Sequence, residues 1–177
     1  MLGEPLGVYQ QTNQDCTAAA LQLDKERGTK FCVSMMKGTY TGRPIQQKRA
    51  QFIHDRLFNI VMTFPHSDFV SLSQTLAEKF GKPTTEKVVD RSVLIMVVES
   101  LSKKELTFAE RQNIPLNGED ITWSNGVSEI SLDEYYLLDT SLQTSSLKFS
   151  LNALQKEAND NMDKTMEESK RKAKSDM

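Results

Sequence analysis

The sequence predicts an α+β fold, in which an antiparallel β-sheet (a meander) is covered on one face by an amphipathic helix. Two segments favour this class: a hairpin around Asn125 and a capped helix over 67–81. Each has one apolar face, and such faces are buried by packing sheet and helix against each other. We expect residues 1–152 to form a single domain and residues 153–177 to form a charged tail that is helical or partly disordered.

The hairpin is the strongest local signal. Asn125 and Gly126 tolerate the positive φ angles of a type I′ turn, which places Trp123 opposite Ser128. Because side chains alternate along a strand, the hairpin then has an apolar and a polar face. The apolar face carries Ile121, Trp123, Ile130 and Leu132, and the polar face carries Thr122, Ser124, Glu129 and Ser131. We therefore expect Trp123, the only tryptophan, to lie in the core.

The helix over 67–81 has both of its ends marked in the sequence. Ser67 is a suitable N-cap, Gly81 can adopt the left-handed conformation after the last turn, and Pro83 prevents continuation. The spacing of the apolar residues predicts one buried stripe. That stripe contains Phe69, Leu72, Leu76 and Phe80, widened by Val70 and Ala77.

Further strands are predicted over 31–36, 50–53, 57–64 and 144–151, with a tight connection over 54–56. The strand over 57–64 is apolar on both faces, which is typical of a central strand. On one of its faces we place Phe58, Ile60, Met62 and Phe64.

Weaker patterns provide the remaining assignments. We expect a leading arm over 1–14 with a short extended piece at 7–10, a helix over 15–25, a loop over 39–44, helical segments over 93–98 and 103–112, and a connection that carries Tyr135 and Tyr136.

Composition excludes some classes of protein. The net charge of −2 over 177 residues argues against a general nucleic-acid binder, which usually has a basic excess. No apolar run approaches the roughly 20 residues that span a bilayer, so we expect no transmembrane segment. We also expect no signal peptide in the sequence as written, which leaves a cytosolic protein or the mature part of an exported one.

Cys16 and Cys32 are the only cysteines. An even pair close in sequence favours a disulfide, which would stabilise the fold by about 3 kcal/mol. The alternative is two buried thiols in a reducing cytosol.

Motifs for catalysis, metals and cofactors are absent from the sequence. It contains no G-x-x-x-x-G-K-[ST], G-x-G-x-x-G or G-x-S-x-G pattern. His54 and His66 lack the spacing of metal ligands, and adjacent acidic residues on a strand point to opposite faces. We expect no cofactor and no metal site.

The candidate binding residues are Tyr135, Tyr136 and Glu129, on the polar face of the hairpin and the connection after it. Aromatic residues are over-represented in protein interfaces. We expect an unidentified protein partner, and the oligomeric state stays open. Met162 and Met166 could form a small apolar stripe on the tail.

Residues 10–28, QQTNQDCTAAALQLDKERG, resemble the start of papain-like peptidases of the bacteriocin-processing type. The resemblance implies that Gln10 or Gln11 supports an oxyanion hole and that Cys16 is the nucleophile. Thr17 stands where that family has Gly. The corresponding function would be a cysteine hydrolase.

A longer resemblance spans residues 50–177. It rests on LFNIVMTF, SDFVSLSQTLAEKFGKP, ITWSNGVSEISL, SSLKFS and the charged tail. These landmarks resemble a group of small exported proteins of proteobacteria, most of them without an assigned function. A looser similarity extends to the helix-on-sheet modules of outer-membrane assembly lipoproteins and a β-lactamase inhibitor, although no lipobox cysteine is present here.

The expected function is a non-catalytic binding protein of the bacterial cell envelope, periplasmic or secreted. The alternatives are the cysteine hydrolase and a phage or mobile-element protein that inhibits a host target.

Overall fold

A computed structural model describes most of the chain. The described residues are 1–35, 38–90, 117–136 and 143–175, together with Ser92, Ile95, Met96, Glu99 and 105–109. In chain order the elements are α1 (Leu6–Thr12), β1 (Gln22–Asp24), β2 (Thr29–Met35), β3 (Thr39–Tyr40), β4 (Arg43–Pro44), β5 (Gln47–Ile53), β6 (Arg56–Pro65), a short 3₁₀ helix (His66–Asp68), α2 (Phe69–Phe80), β7 (Thr85–Asp90), β8 (Asn117–Ser124), β9 (Ser128–Tyr136), β10 (Gln143–Leu151) and α3 (Asn152–Ser175).

Eight strands form one antiparallel sheet in the order β1-β2-β5-β6-β10-β9-β8-β7. The predicted α+β class, with an antiparallel sheet, a covering helix and a C-terminal helix, is confirmed. β6 lies between β5 and β10 and so joins the two halves of the chain. The prediction that it is a central strand is also confirmed.

The core under α2 is built from the apolar face of the C-terminal half of the sheet. Its buried members are Ile45, Met62, Phe64, Phe69, Leu72, Leu76, Ile121, Trp123, Leu132 and Leu147. The small β3–β4 hairpin adds Tyr40, whose ring lies 5.8 Å from that of Phe149. Burial raises the pKa of the Tyr40 phenol. The 39–44 segment, predicted as a loop, is therefore a short hairpin that extends the cover of this face.

A second cluster lies under the N-terminal segment at the other end of the sheet. It contains Leu6, Tyr9, Cys16, Cys32, Ala50, Phe52 and Leu57. α1 begins after Pro5 and places Leu6 and Tyr9 on its buried side. The Tyr9 and Phe52 rings meet edge to face at 5.3 Å.

α3 covers part of the opposite face of the sheet. Ala158 is fully buried there against Ile53 and Phe58. A register shift opposite Gln51 and Phe52 forms a bulge in the β5–β6 pairing. This bulge separates Phe58 from the α2 face, so its predicted grouping with Met62 and Phe64 is wrong.

α3 agrees with the helical form of the expected tail. It is helical from Asn152 to Ser175. Beyond Ala158 it contacts the β1–β2 turn, where Asn161 Nδ2 donates to the Arg27 carbonyl oxygen at 3.3 Å. Met166 is 42% exposed and takes no part in a buried stripe.

The N-terminal assignments are wrong in two places. The leading arm contains α1 rather than an extended piece, and residues 15–25 form turns and β1 rather than a helix. Two constraints prevent that helix: the Cys16–Cys32 disulfide and the pairing of β1 with β2. Gly28, with a φ of 63°, lies in the β1–β2 turn.

The strands predicted over 31–36, 50–53, 57–64 and 144–151 are confirmed as β2, β5, β6 and β10. The connection predicted between β5 and β6 is tight, because His54 and Asp55 form a two-residue turn with φ angles of 50° and 55°. β7 was not predicted. The helical segments expected over 93–98 and 103–112 lie largely outside the described residues.

α2 confirms the predicted helix, with three departures. Its N-cap is Asp68 rather than Ser67, because a 3₁₀ turn precedes it. Val70 is 65% exposed and Phe80 is 42% exposed, so the buried stripe is Phe69, Leu72 and Leu76. Gly81 ends the helix with a φ of 82°, as expected.

Leu76→Ala tests the packing of α2. We expect the free energy of unfolding to fall by about 3 kcal/mol, because the change leaves a cavity in a well-packed core. Urea denaturation provides the measurement. The matched control is Val70→Ala on the same helix, which should change stability by no more than about 0.5 kcal/mol. Equal losses in the two variants would contradict the assignment of the buried face.

Candidate functional site

The hairpin turn differs from the predicted one. Gly126 has a φ of 84°, while Asn125 is not among the residues with positive φ. This pattern fits a type II′ rather than a type I′ turn, centred on Gly126 and Val127. The Asn125 side chain explains the difference, because its Oδ1 accepts from the amides of Val127 (3.0 Å) and Ser128 (2.8 Å).

The shifted turn moves the strand register by two residues. Trp123 lies opposite Ile130 instead of Ser128. Because side chains alternate with a period of two, a shift of two leaves the faces unchanged. Trp123 is only 5% exposed, and its Nε1 donates to the Gly81 carbonyl oxygen at 2.9 Å. The predicted core position of Trp123 is confirmed.

Two of the predicted binding residues lie far from the third. Glu129 is half-buried near the start of β9, between Ser124 and Ser150 on the neighbouring strands. The backbones of Tyr135 and Tyr136 continue β9 instead of forming a connection, and their side chains lie outside what the structure describes. Six residues of strand separate Glu129 from Tyr135 by about 20 Å. These residues do not form one compact site.

The polar face of the hairpin continues across the sheet. One cross-strand row runs Thr122, Ser131, Lys148, Val61 and Arg49. The next row runs Ser124, Glu129, Ser150, Asn59 and Gln51. Hydroxyl, amide and carboxylate groups make up the second row, whereas the first also contains one apolar and two cationic side chains. Ser131, Ser150 and Asn59 are buried, and Ser124 at the hairpin end is exposed.

Arg49 is a partly buried charged group on this face. Its guanidinium carbon lies 4.0 Å from the centre of the Phe31 ring. Burial lowers the pKa of Arg49, an effect that Asp24 opposes and Arg27 reinforces. The contact of Arg49 with Phe31, and the hydrogen bond that Asn59 Nδ2 donates to Gln155 Oε1 of α3 at 3.2 Å, make this end of the face structural.

The Cys16–Cys32 disulfide is present in the structure, as predicted. The two residues are 1% and 3% exposed and pack in the cluster with α1. The bridge ties the N-terminal segment to β2. Because a nucleophilic cysteine must be a thiolate, Cys16 in this oxidised form has no free sulfur for catalysis.

The histidines bind carboxylates rather than each other. His54 Nε2 lies 2.7 Å from Glu157 Oε1 on α3, and His66 Nδ1 lies 3.5 Å from Glu134 Oε1. Within the part of the chain that the structure describes, no three His, Cys, Asp or Glu side chains are grouped as metal ligands. Nor is any described helix long and apolar enough to cross a membrane.

An open cavity of about 310 Å³ lies between the end of α2 and the tip of the hairpin. Phe80 and Lys82 line one side, and Trp123 and Asn125 line the other. Sequence reasoning missed this site because it placed Phe80 in the buried stripe, whereas Phe80 is 42% exposed. The exposed Phe80 ring lies next to Lys82, which forms no ion pair with the residues that the structure describes, and this combination marks the site.

Comparisons with protein-family models, with curated proteins and with solved structures gave no match to this chain.

Gly126→Ala tests the turn. Although no atom lies within 4 Å of a Cβ added there, the positive φ disfavours an L side chain. We expect the free energy of unfolding to fall by about 1 kcal/mol, measured by urea denaturation. Gly7→Ala is the matched control, since it also meets open space but lies in α1 without a positive φ. Its stability should stay unchanged or rise by about 0.5 kcal/mol. A loss at Gly7 as large as that at Gly126 would contradict this explanation.

Proposed function

We propose that this chain is a non-catalytic binding protein of the bacterial cell envelope, periplasmic or secreted, that recognises a protein partner with the tip and polar face of the β8–β9 hairpin. The observation that carries the proposal is the buried Cys16–Cys32 disulfide. Disulfides of this structural kind persist in oxidising compartments and are rare in the cytosol of mesophiles. The resemblance of residues 50–177 to small exported proteins supports the same compartment.

The position of the disulfide supports a structural rather than a catalytic role. Catalytic and redox-active cysteines are partly exposed, whereas Cys16 and Cys32 are nearly inaccessible. A cysteine hydrolase using Cys16 would require this buried bridge to be reduced first. The binding hypothesis needs no such step.

The hairpin tip has the features of a recognition surface. Val127 is 71% exposed there, and the neighbouring Ser124 and Asn125 are exposed polar residues. The tip is also held in place, because the Asn152 amide donates to the Val127 carbonyl oxygen at 3.0 Å. A pre-ordered, amphipathic surface binds at a lower entropic cost than a mobile one.

Photo-crosslinking in cells of the natural host tests this proposal. A photo-reactive amino acid at Val127 should give a specific protein adduct, recovered from the envelope fraction, with Cys16 and Cys32 resistant to alkylation before reduction. The adduct is read on a non-reducing gel, and both thiols should become available after reduction in denaturant.

The matched control places the same photo-reactive residue at Val70, which is 65% exposed on the outer side of α2. It should give no such adduct. Recovery of the native protein only from the cytosol with two free thiols, or equal crosslinking from both positions, would overturn the proposal.

A further inference from the structure

The cavity beside Trp123 joins an apolar floor to a polar rim. Phe80 and Ile130 lie on the floor with the indole of Trp123. Phe80 remains 42% exposed even though it belongs to the last turn of α2. Large apolar side chains that stay exposed beside a cavity are a common feature of ligand sites.

The rim presents hydrogen-bond donors. Asn125 uses its Oδ1 to accept from the amides of Val127 and Ser128 and from the Ser128 hydroxyl, which leaves Nδ2 as the free end of the amide. Lys82 also lines the cavity, and no carboxylate in the described ranges forms an ion pair with it. Lys82 and Asn125, which carry an ammonium and an amide N–H group, therefore line the same space.

The end of α2 by itself would disfavour an anion, because the helix dipole is negative there. Two features offset that effect. The Gly81 carbonyl oxygen is occupied by the Trp123 indole, and the Gly81 amide caps the Ala77 carbonyl. Lys82, which lines the cavity, adds a positive charge at the same end of the helix.

We propose that this cavity binds an apolar carboxylate: an aromatic or branched aliphatic group on the floor, with the carboxylate at Lys82 and Asn125. Its volume of about 310 Å³ is at the lower end of the range for ligand pockets and fits one residue-sized group. Such a group is supplied either by a free organic acid or by the C-terminal residue of a polypeptide. A polypeptide C-terminus would be part of the proposed protein partner, so in that case the inference rests on the proposed function, whereas a free organic acid goes beyond it.

The only tryptophan of the chain lies in the cavity wall, so its fluorescence reports occupancy without a label. The oxidised, full-length protein is titrated with N-acetyl-phenylalanine and with N-acetyl-phenylalanine amide, which lacks the carboxylate. We expect a saturable change with the acid and an affinity about tenfold lower for the amide, because a charge-assisted hydrogen bond is lost.

Lys82→Gln should lower the affinity for the acid about tenfold and leave the affinity for the amide unchanged. Lys79→Gln is the matched control, since it removes a lysine of the same helix end that does not line the cavity, and it should bind the acid as the wild type does. Phe80→Ala should lower the affinity for both ligands. The variant is expected to fold, because Phe80 is partly exposed.

A peptide ending in phenylalanine separates the two ligand sources. Tighter binding of the peptide than of the free acid indicates a polypeptide C-terminus, and equal or weaker binding indicates a small organic acid; both outcomes support the proposal. The absence of a saturable change with any probe up to about 10 mM, or an unaltered affinity in Lys82→Gln, overturns it. Crosslinking at Val127 does not depend on Lys82. A cavity that binds no carboxylate can therefore be distinguished from a protein that binds no partner.

Discussion

The pairing of β6 with β10 is the interaction on which the rest of the structure depends. β6 is the last strand of the N-terminal half of the sheet, and β10 is its neighbour from the C-terminal half. Leu147 lies opposite Met62 and Leu132 opposite Leu147, so the continuous apolar floor under α2 exists only while these strands are joined. α3 follows directly from β10 and packs back on Phe58 of β6. Both covers of the sheet therefore depend on one non-local contact.

The spacing of apolar residues was sufficient to predict a helix or strand wherever the segment has a single buried face or two apolar faces. The apolar spacing of α2 and the alternation in β10 reflect burial directly, so both were predicted with nearly correct bounds. The disulfide could be inferred from the number and spacing of the cysteines. In each case the information lies within the segment itself or in the number of cysteines.

The errors have a common physical origin in contacts between distant segments. The 15–25 segment has helix-forming residues, but its disulfide and its pairing with β2 override that propensity. The bulge that redirects Phe58 is set by the β5 partner strand. The hairpin turn was misplaced because the Asn125 side chain captures two backbone amides, which no alternation pattern reveals.

The candidate site also has a part that the sequence predicts and a part that depends on contacts between distant segments. Glu129 and the other polar hairpin residues were placed on the correct face, because a two-residue register shift preserves faces. The cavity beside Trp123 was not predictable, because it forms where the end of α2 meets a hairpin far along the chain. The disulfide explains how the fold is kept intact at one end of the sheet, while this cavity and the hairpin tip lie at the exposed end of β8 and β9.

Hydrogen exchange of the native oxidised protein tests the central role of β6 most directly. If the β6–β10 pairing holds both halves of the sheet together, amides that bond between these strands should be released only by global unfolding and should be the slowest to exchange. Edge strands such as β1 and β7 should exchange faster. Amides of β8 and β9 that remain protected after those of β6 and β10 have exchanged would contradict this account.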